Sequence, residues 1–199
     1  TAQEIFTQDE LIKQFNITKI QKGGAIFNED KLKWVNKEHL KLLPPFEASD
    51  EIYSIIKNYY DTDIEYINKL YPLILDRINC FSDVNSMIKD GELDLFFKKP
   101  DYEKDLLKWK GDSELGVTKK HLEHAVSLLE EIKDEQFTFD NVKHVLFSYA
   151  EQMGKGSVLW PIRFALSGKE KSADPLTIIE ILGKKETLER LKIALQKIQ

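Results

Sequence analysis

The chain has 199 residues, 42% hydrophobic and 32% charged, with a formal net charge of −5 and one cysteine. That apolar content excludes a wholly disordered chain. The length suits one large domain or two small ones, and no apolar run approaches the roughly 18 residues a spanning helix needs. Cys80 is alone and cannot form an internal disulfide, so a reducing cytoplasm is the expected compartment. The first residue is Thr1, with no basic-then-apolar leader after it, which reads as a piece of a longer chain. Charge is uneven. Residues 151–199 carry nine Lys/Arg against six Asp/Glu, a net +3, and residues 1–150 carry a net −8. A strongly basic nucleic-acid binder is excluded. Of 29 basic residues only Arg77, Arg163 and Arg190 are arginines. An arginine that persists in so lysine-rich a chain points to a need for the planar, five-donor guanidinium. A chance arginine in a helix-face salt bridge is the competing explanation.

In chain order, Thr7-Gln-Asp-Glu10 predicts a capping box opening a short helix through Leu11, Ile12 and Phe15. Lys22-Gly23-Gly24 breaks the chain, and a second short helix covers residues 29–36. Leu43-Pro44-Pro45 marks a boundary, because each proline removes a donor and restricts its predecessor. Ile52, Ile55, Ile56, Tyr59 and Tyr60 follow the spacing of a buried helix face, and Ile64, Ile67 and Leu70 continue in another helix. Pro72 is expected in the first turn of a further helix carrying Leu73, Ile74, Arg77 and Ile78. A short helix is expected over 82–88, an extended segment over 93–97, and a short helix over 101–110 ending at Gly111. Two stripes follow, Leu122/Ala125/Val126/Leu129/Ile132 and Val142/Val145/Leu146/Tyr149. Gly154-Lys-Gly156-Ser reads as a turn, Pro161 as the start of a helix that Gly168 closes, and Asp174-Pro175 as the start of a helix that Gly183 ends. Leu188, Leu191, Leu195 and Ile198 lie on the last helix. The fold class is all-α, with boundaries near Pro45 and Gly111.

Catalytic signatures are missing. Gly154-Lys155-Gly156-Ser157 is no Walker loop, since Gly156 splits Lys from Ser. His121 and His124, three residues apart, lack the further ligands a metal needs. Cys80 has no activating neighbour in sequence and reads as a small buried hydrophobe. The carboxylate pairs Asp61/Asp63 and Asp101/Asp105 read as solvated faces. Two functions of different class stay open on the residues alone. One is a non-catalytic helical protein-interaction module. The other is an RNA-contacting module using Trp160, Arg163 and the lysines 155, 169 and 171, where rings stack, guanidinium reads base edges and lysine neutralises phosphate.

The stretch Lys155-Gly-Ser-Val-Leu-Trp-Pro-Ile-Arg-Phe-Ala-Leu-Ser-Gly168 resembles the C-terminal motif K-G-K-L-x-x-P-L-R-x-A-L-T-G of bacterial glutamyl-tRNA synthetases, class I aminoacyl-tRNA synthetases. Asp174-Pro175-Leu176, Ile181-Leu182-Gly183-Lys184-Lys185-Glu186 and Glu189-Arg190-Leu191 continue it. At the other end, Glu4-Ile-Phe-Thr-Gln-Asp-Glu-Leu-Ile12, Gly24-Ala-Ile-Phe-Asn28 and Lys31-Leu-Lys-Trp-Val-Asn36 are similar to the family's E-I-F-x-x-x-E-L-I and A-x-F-D…K-L-x-W-x-N. Asp76-Arg77-Ile78 sits in the place of an E-R-x segment.

The resemblance implies the C-terminal, anticodon-binding part of the enzyme. Residues 1–45 would end the stem-contact domain, and residues 46–111 and 112–199 would form two helical-bundle subdomains caging the anticodon loop. It implies tRNA-Glu as partner, neither DNA nor membrane, a monomer, and a cytoplasmic place. The whole enzyme would join glutamate to tRNA with ATP. This fragment would hold no cofactor and no metal, ATP and Mg belonging to the absent catalytic domain; neither H-x-G-H nor K-M-S-K-S occurs here. By position, Arg77 matches an anticodon reader linked to telling tRNA-Glu from tRNA-Gln, and Arg163 matches the motif arginine that contacts anticodon bases. Asp174, Pro175 and Leu176 match a segment lining the anticodon pocket. Asp174 stands where the family often has Thr, which shifts weight from its side chain to its backbone and its N-cap. Lys155, Trp160 and Lys169 are the expected phosphate or stacking contacts. Arg190 is expected to pack or form a salt bridge.

Overall fold

The computed structural model describes residues 3–20, 23, 24 and 26–198. Lys22 of the expected chain break and Ala25 of the N-terminal motif lie outside the described residues. Among the described residues there are helices and no strand. The chain divides into two compact units, Thr1–Asp90 and Gly91–Gln199. No helix among the described residues is long and apolar enough to cross a membrane.

In the first unit, α1 (Gln8–Gln14) opens on the expected capping box: the Thr7 hydroxyl accepts from the Glu10 amide, and the Glu10 carboxylate accepts from the Thr7 amide. The Thr7 amide, and after it the Thr7 hydroxyl, donate to the Glu10 carboxyl and hold it below the ordinary value. A single 3₁₀ turn follows at Ile17–Lys19. Then comes α2 (Glu29–Leu42), longer than expected and capped by Asn28. Next, α3 (Pro45–Ile56) starts on Pro45, where the missing N–H costs no helix bond. It packs on α4 (Ile64–Arg77), and Ile52, Ile56, Ile67, Leu70 and Ile74 are fully buried. Pro72 is a correction: it lies inside α4, not at the start of a new helix. An interior proline costs about 3 kcal/mol, and the fully buried Leu70 and Ile74 on either side, at about 1.5–3 kcal/mol each, offset it. The unit ends with α5 (Asp83–Lys89), where the Asp83 carboxylate accepts from the amides of Asn79 (2.7 Å) and Cys80 (3.1 Å). Cys80 is half-buried rather than enclosed, and its thiol lies 3.2 Å from the Asp83 carboxylate.

The second unit begins with a one-turn helix α6 (Asp94–Phe97), where an extended segment was expected. Residues 101–110 also differ from expectation, holding only a 3₁₀ turn at Lys104–Leu107. Their side chains and carbonyls serve neighbouring helices instead of a ladder of their own. Leu107 is fully buried, and the Leu106 carbonyl accepts from the Trp160 indole at 3.0 Å. This segment therefore packs with the C-terminal helices in the second unit. The core is built by α7 (Leu115–Glu131), α8 (Phe139–Met153), α9 (Lys155–Ser167) and α10 (Pro175–Ile198). The kink in α10 falls at Gly183, so the expected end of one helix and start of the last are both present within it.

Pro161 does not open a helix either: α9 starts six residues earlier, directly after Gly154. Lys155, Gly156 and Ser157 form its first turn rather than a free turn. A side chain at Gly156 would put Cβ within 2.5–2.8 Å of the Trp109 ring, so this glycine lets an indole lie against the helix start. Gly168 closes α9 as expected, at φ +65, the left-handed conformation a glycine adopts without steric cost.

Candidate nucleic-acid interface

Within the second unit, the residues singled out from the sequence gather around α9 and the loop 168–174 that joins it to α10. Arg163 lies on α9, half-buried, and donates from Nη1 to the Ser172 carbonyl at 3.3 Å. One turn later the Ser167 hydroxyl donates to the Arg163 carbonyl (2.7 Å) and accepts from the Lys169 amide (3.1 Å). The loop thus leaves α9 on a fixed path and returns beneath the guanidinium.

At the far end Asp174 is the N-cap of α10. Its Oδ1 accepts from the Leu176 amide at 2.9 Å and its carbonyl from the Ile178 amide at 3.0 Å. Its charge therefore faces the positive end of a helix, which favours an anion there. Pro175 and Leu176 are buried, so their side chains hold the helix start in place while Asp174 is exposed. Both Oδ1 and the carbonyl of Asp174 are thus taken up in starting the helix.

The three remaining candidates differ in character. Lys155 is exposed; its ammonium lies 3.5 Å from the Glu151 carboxylate and 5.4 Å from the Phe147 ring centre. Such a surface ion pair contributes about 0–1 kcal/mol, so it gives way readily to a phosphate. Trp160 is half-buried between Trp109 (ring centres 5.4 Å apart) and Phe164 (5.6 Å), with its indole N–H on Leu106. Those contacts anchor the 104–109 segment onto α9. Lys169 is half-buried, and its ammonium donates to the Gly91 carbonyl at 2.7 Å.

Arg190 is 3% exposed. Its Nε pairs with Glu186 at 2.7 Å, and Nη1 donates to the carbonyls of Leu95 (2.6 Å) and Leu166 (2.7 Å). The fork ties α6, the last turn of α9 and the second half of α10, as the expected packing and salt-bridge role requires.

In the first unit, Arg77 is exposed in the last turn of α4. Backbone on both sides of it is held from α2: the Lys37 ammonium donates to the Asp76 carbonyl at 2.6 Å, and the Asn36 side-chain amide donates to the Asn79 carbonyl. A lysine on the last carbonyls of a helix also meets the negative end of its dipole.

Sequence reasoning missed the supporting residues Ser172, Trp109 and Lys37. Ser172 acts through a carbonyl, which no side-chain pattern marks. Trp109, directly before the Lys110-Gly111 break, carried the one available signal: a large ring at a loop position needs something to cover it. His121 and His124 are spent on Tyr149, the first by a 2.7 Å contact from Nδ1 to the hydroxyl and the second by ring packing at 4.1 Å. Among the described residues no group of three or more His, Cys, Asp or Glu is placed to hold a metal ion.

The second unit is thus a helical bundle in which Arg163 stands beside the loop that leads into the α10 start. Comparison with known proteins gives the family. The model of the anticodon binding domain matches residues 38–195, and the chain belongs to that family. A glutamate–tRNA ligase of Clostridium novyi is 34% identical over 100% of this chain and 41% of its own length. One of Clostridium acetobutylicum is 32% identical over 98% of this chain and 40% of its own length. Among solved structures, a glutamate tRNA ligase of Elizabethkingia meningosepticum in complex with its amino acid superposes with a TM-score of 0.76 at 25% identity, covering 98% of this chain and 37% of its own. A glutamate-tRNA synthetase of Elizabethkingia anophelis gives 0.69 at 28% identity, over 96% and 36%. The chain thus spans about two fifths of the length of the curated relatives it matches.

Proposed function

We propose that this chain is the anticodon-reading part of a glutamate–tRNA ligase and that it recognises the anticodon loop of tRNA-Glu. Unpaired anticodon bases present their Watson–Crick edges. Reading a C or U edge needs a donor at its carbonyl oxygen, and for C an acceptor for its amino group. Arg163 supplies the donor fork, and the α10 start at Asp174, Pro175 and Leu176 lines the pocket beside it. Arg77 is the corresponding reader in the first unit, with tRNA-Gln as the tRNA it works against. Lys155 takes a phosphate. The fragment works as a monomer in the cytoplasm, where tRNA is charged.

The whole enzyme would join glutamate to tRNA at the expense of ATP, giving AMP and pyrophosphate. ATP and its Mg ion would bind in the share of such an enzyme that lies outside the two fifths this chain matches.

The observation that carries the reading is that the anticodon-binding match over 38–195 takes in both arginines and the whole loop from Gly168 to Leu176. Gel-shift titration of the chain with a tRNA-Glu transcript, beside the same transcript with its anticodon bases replaced, tests it. Tighter binding to the intact anticodon is expected, and equal binding rejects the role.

A further inference from the structure

The loop 168–174 joins Arg163's helix to Asp174, so its shape sets how the two proposed base contacts stand to one another. Its ends are fixed locally, by the left-handed Gly168 and by the Asp174 cap. Between them two cationic side chains hold it. One is Arg163, on the Ser172 carbonyl. The other is Lys169, whose ammonium turns inward to the Gly91 carbonyl at 2.7 Å.

Two features separate Lys169 from a lysine placed for phosphate. Lys155 and Lys171 are exposed, whereas Lys169 is half-buried with its charged end on backbone. An ammonium is strongly hydrated, and Lys169 gives up part of that hydration to sit 2.7 Å from the Gly91 carbonyl. Secondly, Gly168 and Lys169 border a cleft of about 230 Å³ that Leu95, Asp101 and Ser167 also line. Gly168 lies close against Pro100, Ala173 is buried and the Ser167 hydroxyl bonds the Lys169 backbone, so packing and local bonds seat the ends of the loop, and beside the cleft the bond to Gly91 adds a tether at Lys169. Gly91 offers a firm anchor: it sits at φ +66 at the start of the second unit, just before α6, whose Leu95 carbonyl is held by the buried Arg190.

We propose that Lys169 is a positioning residue for anticodon recognition: held on the Gly91 carbonyl, it fixes the loop 168–174 so that Ser172 keeps the Arg163 guanidinium in its reading orientation. The proposal rests on the anticodon reading above and assigns Lys169 to the protein's own backbone instead of to an RNA phosphate.

Lys169→Met keeps the stem and removes the donor; Lys169→Arg restores one. Hydrogen–deuterium exchange on the 199-residue chain reads the tether without RNA. Faster exchange of the 168–174 amides in the Met variant, by about tenfold, with the rest of α9 and α10 unchanged and the Arg variant restored, is expected. Unchanged exchange in the Met variant overturns the proposal. Binding is then titrated across a salt series with the tRNA-Glu transcript and its anticodon-replaced version. The Met variant is expected to lose about threefold to tenfold on the intact anticodon alone, with the same salt slope, and the Arg variant to regain it. Equal loss on both RNAs with a shallower slope marks a phosphate contact and overturns the proposal. Should the unmodified chain bind both RNAs alike, the anticodon reading fails, whereas the tether itself still stands or falls on the exchange result.

Discussion

Arg163 and Ser172 are nine residues apart in sequence, and the guanidinium of the first donates to the carbonyl of the second at 3.3 Å. One arm of the fork is thus engaged by the protein, which orients the remaining N–H groups. Lysine at this place keeps the charge and loses the fork. Arg163→Lys is expected to weaken tRNA-Glu binding by about 1–3 kcal/mol and to narrow the preference for the intact anticodon. Fluorescence titration with both transcripts checks it; affinity and preference equal to the parent chain would contradict the role.

Arg190 is the hub beneath that site. Its loss leaves the half-buried Glu186 and the buried carbonyls of Leu95 and Leu166 without this partner. Arg190→Met is expected to cost about 3–5 kcal/mol of stability, measured by urea unfolding. A loss under about 1 kcal/mol would show that α6, α9 and α10 hold together without it.

Gly168 combines a left-handed backbone with a close neighbour: an added Cβ would lie 2.8 Å from Pro100 Cβ. Gly168→Ala is expected to destabilise by about 1–2 kcal/mol through the backbone alone, and by more through the clash. An alanine variant with the parent's urea midpoint would contradict this account of how α9 ends.

His121 gives a pH dependence. Burial pushes its imidazole below the ordinary value of 6.5; Asp112 works the other way and His124 adds to the lowering. The folded state thus prefers neutral His121, and below pH 6.5 the unfolded chain binds more protons. This contribution is complete above 6.5 and is lost as pH falls from 6.5 through the lower folded value. Between about pH 7.5 and about pH 5.5 the parent chain is expected to lose more stability than His121→Gln. Equal losses in urea titrations at the two pH values would remove His121 from the account.

Much of the fold is written in local chemistry. The capping box at Thr7 and Glu10, the Asp174-Pro175 start and the Gly168 stop each act within a turn or two, and each is found where the sequence places it. Pro72 and Pro161 depart from expectation because the proline rule is also local, while the burial that offsets it is not. Ile162, Phe164 and Leu166 are at most 2% exposed, and their packing carries α9 past a missing helix bond. Residues 93–110 depart from expectation for the same reason: Leu95, Leu106 and Trp109 find their partners in α9 and α10. The candidate site divides likewise. Its arginines stand out by scarcity and by motif, whereas the carbonyls of Ser172 and Gly91 have no sequence signature at all.

The most direct test of the central claim is the affinity of this chain for tRNA-Glu beside the same tRNA with its anticodon bases replaced, at one fixed salt concentration. Anticodon reading predicts tighter binding to the intact tRNA, by about 1–3 kcal/mol for each base read. Equal affinity for the two would contradict it.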